Sequence, residues 1–133
     1  MTKKELDRLT IPVRWGDLDL YGHLNNTVYF RFFEEARVHW LEKNHFSVRG
    51  INTGPVLIQC SATFLREVNH PATIVITTTA GEIGRTSLVI HHQILSEDLQ
   101  TLHCEGQAKL VWVDHKSGKS ILLPDTLKAL LAD

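Results

Sequence analysis

Between Thr27 and Lys43 the sequence carries one apolar stripe built mostly of aromatic rings. Tyr29, Phe32, Phe33, Ala36 and Trp40 fall at i, i+3, i+4, i+7 and i+11. This spacing predicts a helix over 27–43 that buries one face. The other face carries Arg31, Glu34, Glu35 and Arg37, with Arg31 and Glu35 spaced for an i,i+4 pair. An aromatic stripe of this size can supply much of a small domain's core, and it needs a broad apolar surface to pack on. The segments after it supply one, because they read with period 2. Val56–Val68 alternates, with Val56, Ile58, Cys60, Ala62 and Phe64 expected on one face, until His70-Pro71 breaks the run. Thr73–Ala80 is β-branched, Gly81 to Gly84 reads as a turn, and Thr86–Leu95 runs back. Ser96-Glu97-Asp98 turns again before Thr101–Val113. Connections this short predict an antiparallel meander. Thr10–Trp15 reads as a short half-buried strand ahead of the helix, and Pro124–Leu131 as a short closing helix. The expected class is α+β, one antiparallel sheet packed on one long helix.

At 133 residues the chain has room for that unit alone, a single domain over 1–133 with no separate cofactor domain. Little is left over to wall a deep pocket. Fourteen Lys+Arg against 15 Asp+Glu leave a net charge of -1, so no basic excess is available for nucleic acid. The longest apolar runs, such as Leu110–Val113, are far short of a membrane span, and the N-terminus carries no signal-peptide pattern. Cys60 and Cys104 read as reduced, buried thiols of a cytoplasmic protein. The eight histidines are scattered, and the adjacent His91 and His92 point to opposite sides of a strand, so no metal site is expected.

The chemically dense stretch is Arg14-Trp15-Gly16-Asp17-Leu18-Asp19-Leu20-Tyr21-Gly22-His23-Leu24-Asn25-Asn26. It places two carboxylates, a histidine and two asparagines between a strand and a helix N-terminus. Asn25 or Asn26 serves as the N-cap. The free N–H groups and partial positive charge of that terminus suit an oxyanion, and a nearby carboxylate suits a base or a nucleophile. A calcium loop does not fit, because Tyr21 stands where an oxygen ligand belongs and Val28 where the closing Glu belongs. An aspartyl-phosphate reading fails for want of a parallel βαβ pattern.

From Arg14 to Arg37, R-W-G-D-L-D-L-Y-G-H-L-N-N-T-V-Y-F-R-F-F-E-E-A-R, the chain resembles the hotdog-fold acyl-CoA thioesterases of the 4-hydroxybenzoyl-CoA thioesterase type. The resemblance implies a curved antiparallel sheet wrapped around the long helix. It implies hydrolysis of an acyl-CoA without a cofactor, with Asp19 as nucleophile or general base. The backbone N–H at Asn26 would polarise the carbonyl oxygen. Asp17, Gly22, His23, Asn25 and Tyr29 would lie along the substrate, and Ser87 would border its tunnel. Glu34 and Arg37 read as a structural pair, while Arg66, Arg85 and Lys109 have two readings, as contacts for CoA phosphates or as the solvated single basic residues usual on strands. The resemblance also implies a homodimer or homotetramer whose subunits pair their sheets edge to edge, with the site at the interface. Two other uses of such a domain compete: a non-catalytic acyl-CoA-binding module, and a hydratase or dehydratase.

Overall fold

The sheet has five strands, all antiparallel, in the order β1-β3-β4-β5-β2. In this computed structural model, which describes residues 4–46 and 52–132, the chain runs β1 (Glu5–Pro12), α1 (Asn26–Lys43), β2 (Thr53–Phe64), β3 (Thr73–Ile83), β4 (Ser87–Ser96), β5 (Leu102–Asp114) and α2 (Asp125–Leu131). The α+β class and the hotdog arrangement of one helix against one sheet both hold.

The aromatic stripe does what its period dictates. Tyr29, Phe32, Phe33, Ala36 and Trp40 are all buried. The first three and Ala36 join Ile74, Ile76, Ile94 and Cys104 in one core cluster. Trp40 joins Leu88, Ile90, Leu110 and Trp112 in a second, which α2 closes with Leu127 and Leu131. Asn25 is the N-cap, its Oδ1 accepting from the Thr27 N–H at 2.9 Å. One member of the expected solvent face departs from it: Arg37 is only 7% exposed. The Arg31–Glu35 and Glu34–Arg37 ion pairs do not form among the described residues.

Three strand expectations are corrected. β1 lies earlier than the expected Thr10–Trp15, because Asp7 occupies the inner face and hid the alternation. Its carboxylate is held by His39 Nδ1 at 2.6 Å and Lys43 Nζ at 3.1 Å, both from α1. Burial pushes the Asp7 carboxyl up, but the bonds from His39, Lys43 and the Arg8 backbone outweigh it and leave it below the usual range. In β2 a bulge between Leu57 and Gln59 reverses the alternation. Leu57, Cys60, Ala62 and Phe64 pair with Leu110, Ala108, Gly106 and Cys104 and share their inner face, whereas Val56 falls on the outer one. Nor do the last four strands form one meander. β3, β4 and β5 do, but β2 pairs only with β5, so the segment from Leu65 to Ala72 must cross the end of the sheet.

His92 sits at the centre of the inner face, 1% exposed. It stacks on Phe33 with centroids 5.2 Å apart, and its Nδ1 lies 3.2 Å from the Thr77 carbonyl oxygen. Burial, helped by the nearby Arg37, pushes its pKa down to about 3. The unfolded chain therefore binds a proton near pH 6.5 that the folded one refuses, so stability falls as pH drops from about 6.5 towards 3. Asp7 adds to the same limb, since its depressed carboxyl stabilises the fold only while ionised. His92→Gln is expected to flatten the window between pH 6.5 and 4 by ~3 kcal/mol, read from denaturant unfolding at several pH values. An unchanged pH slope refutes this account of His92.

Candidate active site

The loop between β1 and α1 separates its two carboxylates by role. Asp17 closes a single 3-10 turn (Trp15–Asp17) and is buried. Its Oδ2 accepts from the Arg14 N–H at 2.9 Å and its carbonyl from the Asn25 N–H at 2.9 Å, so it fastens the strand end to the helix cap. Asp19 is tethered through one oxygen only. Its Oδ1 accepts from the N–H groups of Tyr21 at 2.8 Å and His23 at 3.3 Å. Its own N–H donates to the His23 carbonyl at 2.8 Å. Gly22 closes the turn with φ +81, a backbone conformation open to glycine and strained for other residues. Asp19 Oδ2 is left without a partner among the described residues.

That carboxylate borders two recesses. One, of about 360 Å³, is lined by Asp19, His23, Asn26 and Tyr29 from the loop and helix, and by Phe64, Leu65, Arg66 and Glu67 from the end of β2. The other, of about 610 Å³, lies between Asp19, Gly22 and Asn25 and the apolar Trp15, Leu18 and Leu20. Asn26 is the first residue of α1, and its N–H, which lies ahead of the helical ladder, has no acceptor among the described residues. The Asp19 carboxylate and the first residue of α1 thus line the same recess. The same recess has an aromatic lining: Tyr29 and Phe64 meet edge to face with centroids 5.0 Å apart. Burial, with Cys104 nearby, pushes the Tyr29 phenol up to about 12, so it remains a neutral donor at physiological pH.

The crossing segment after β2 completes the pocket. Leu24 N–H donates to the Val68 carbonyl at 2.9 Å, His23 and Asn69 form an isolated β-bridge, and His23 Nε2 lies 3.1 Å from Glu67 Oε2. Of the residues expected at the site, Asp19, Asn26, His23 and Tyr29 line the first recess, and Gly22 and Asn25 the second. Asp17 lies beneath them as a fastener. Ser87 is elsewhere within the chain: it pairs with Val111 at one end of β4, while the pocket lies near Ile94 and Cys104, roughly 23 Å along the strands. Phe64, Leu65 and Glu67 were not legible as site residues. Their only sequence signal was an apolar pair followed by charge at the end of a strand. Asp17→Asn keeps an acceptor for the Arg14 N–H and is expected to lower kcat less than tenfold, measured beside Asp19 variants. A loss at Asp17 equal to that at Asp19 reverses the two assignments.

Among the described residues no group of three or more His, Cys, Asp or Glu is arranged to hold a metal ion, and no helix is long and apolar enough to cross a membrane.

Comparison with known proteins gives the family. Residues 13–131 match the thioesterase-like superfamily. The PA2801 protein of Pseudomonas aeruginosa, a proposed thioesterase, is 45% identical, with a TM-score of 0.93 over 97% of this chain and 100% of that one. A proposed acyl-CoA thioesterase from Xanthomonas campestris is 32% identical, with a TM-score of 0.77 over 84% of this chain and 95% of that one. YsmA of Bacillus subtilis (strain 168), an uncharacterized protein, is 30% identical over 91% of this chain and 82% of its own length. The chain belongs to the thioesterase-like superfamily and is a hotdog-fold thioester hydrolase.

Proposed function

We propose that the protein hydrolyses an acyl-CoA to the free acid and CoA, with Asp19 as the attacking group or its base and the Asn26 N–H as the oxyanion donor. The observation that carries this reading is the shared recess: Asp19, with one carboxylate oxygen unpaired among the described residues, and Asn26, whose N–H has no acceptor among them, line the same space of about 360 Å³. In the base form, Asp19 takes a proton from water, and the hydroxide oxygen bonds to the thioester carbon. The carbonyl oxygen becomes an oxyanion facing the Asn26 N–H and the positive end of α1. Collapse of that intermediate breaks the C–S bond and releases the thiolate, which takes up a proton. In the nucleophile form an Asp19 oxygen bonds to the carbonyl carbon, the C–S bond breaks to release the thiolate, which takes up a proton, and water then hydrolyses the mixed anhydride to the free acid and the Asp19 carboxylate. A thiolate is a fair leaving group, so neither route needs a strong general acid. Tyr29 and Phe64 offer an apolar bed for the acyl group, and Arg66 at the same recess offers a cation to the CoA phosphates.

The working unit in this reading is a homodimer. β2 is an edge strand, and Val56, Leu57, Ile58 and Phe64 on it are each more than two-fifths exposed. An apolar edge of this length is a template for pairing. Joining two copies along β2 covers it and brings a partner's strand to the open side of the Phe64 pocket. Cys104 is buried as expected but Cys60 is exposed; both are free thiols, which fits a reducing, cytoplasmic setting.

A panel of aromatic, short-chain and medium-chain acyl-CoAs, followed by release of free thiol, tests the activity. Turnover of at least one class is expected. Tight binding of acyl-CoA with no thiol released from any of them overturns the proposal.

A further inference from the structure

Arg37 is buried without a counter-charge. It is 7% exposed, yet no hydrogen bond or ion pair joins its guanidinium to any described residue. A guanidinium carries five N–H donors; those of Arg37 face the recess, and covering them without supplying an acceptor is unfavourable. Burial holds its pKa below the usual arginine value despite the attraction of Glu34 and Cys60. Glu34, one turn earlier, is exposed and also makes no ion pair with any described residue. Both residues line a recess of about 270 Å³, with Phe30 and Arg31 from the same helix face and Leu57 and Cys60 from β2. Because β2 pairs only with β5, this recess opens at the unpaired edge of the sheet.

A second copy of this chain meets the requirements of that recess. It would cover the apolar edge beside it, and the charges are self-complementary. Across a two-fold axis each residue meets its counterpart reciprocally, so Arg37 facing the other copy's Glu34 also places Glu34 against the other copy's Arg37. The position is well away from the catalytic loop, since Asn26 and Arg37 are separated by roughly 16 Å of helix. We infer that Glu34 of a second copy closes on Arg37, giving two reciprocal ion pairs that fix how the two central helices sit side by side. This inference rests on the homodimer proposed above and names the contact that sets its register. A planar guanidinium against a carboxylate is bidentate and directional, which an apolar edge is not.

Charge reversal tests it by sedimentation velocity over a range of concentrations. Arg37→Glu and Glu34→Arg each create two like-charge pairs in their own homodimers, and each is expected to weaken self-association by at least about 100-fold. Mixing the two variants in equal amounts makes both pairs complementary again. The mixed dimer is expected to form within about tenfold of the wild-type dissociation constant. A contact within one chain cannot produce that rescue. If Arg37→Glu does not fold, the exposed Glu34 still allows the test: Glu34→Arg/Arg37→Met should associate more tightly than Glu34→Arg alone. Single variants that dimerise like wild type, or a mixture no tighter than its components, overturn the contact and leave the dimer standing. A wild-type protein that is monomeric throughout the concentration range and fully active overturns the dimer itself.

Discussion

Asp19→Asn is expected to lower kcat for acyl-CoA hydrolysis by about 10³-fold, within the range typical of a lost general base, with KM changed only a few-fold. The substitution isolates the chemistry from the architecture. Asp19 Oδ1 accepts from the N–H groups of Tyr21 and His23, and the amide oxygen of asparagine can accept the same two bonds. What it cannot do is take a proton from water or attack the thioester. Asp19→Ala removes those loop bonds as well and is expected to lose at least as much activity, with some stability too. Steady-state thiol release gives kcat and KM, and circular dichroism gives the fold. A folded Asp19→Asn enzyme that keeps a tenth of wild-type kcat removes Asp19 from the reaction. The alternative carboxylate, Asp17, would then have to act from a buried position where its Oδ2 is already engaged by the Arg14 N–H.

The helix and its aromatic stripe were legible before any coordinates, whereas Asp17, expected along the substrate, lies beneath the site as a fastener. Helix and stripe depend on short-range rules: a 3.6-residue period and an Asn cap. The errors arose where distant residues override local pattern. Asp7 reads as a break in a strand until His39 and Lys43, on a helix more than thirty residues away, are seen to hold it. A single bulge between Leu57 and Gln59 reversed the expected faces of Val56 and Leu57, and no residue type signals such a bulge. The pocket's second wall, Phe64 to Glu67, depends on β2 crossing to the far side of the sheet, which is a matter of topology. Arg37 reads as a surface residue on its helix because the strand that covers it lies far along the sequence.

Gly106→Ala is expected to lower the melting temperature by about 10 °C, corresponding to roughly 3 kcal/mol of overpacking in a domain of this size. Gly106 lies at the middle of β5, paired with Ala62 on one side and His92 on the other. A Cβ there would fall 2.7 Å from Phe33 Cζ and 3.0 Å from Cδ2, and closer still to Cε2. The ring has nowhere to go. It is 2% exposed, stacked on His92 at an interplanar angle of 9° and bordered edge to face by Phe30. The added methyl must therefore lift α1 off the sheet or bow β5 outwards. Lifting α1 displaces Asn26 and Tyr29, which begin the same helix, so kcat should fall together with stability. A double-mutant cycle separates this clash from a general intolerance of β5. Phe33→Leu is expected to destabilise the wild-type chain by about 1 kcal/mol, because it empties part of the core. In the Gly106→Ala background the same change frees the space the methyl needs, and it should raise the melting temperature. Thermal unfolding of the four proteins decides the matter. Gly106→Ala within 2 °C of wild type, or a Phe33→Leu effect of the same sign in both backgrounds, means that the contact between Phe33 and the bare backbone of Gly106 does not set the spacing of helix and sheet.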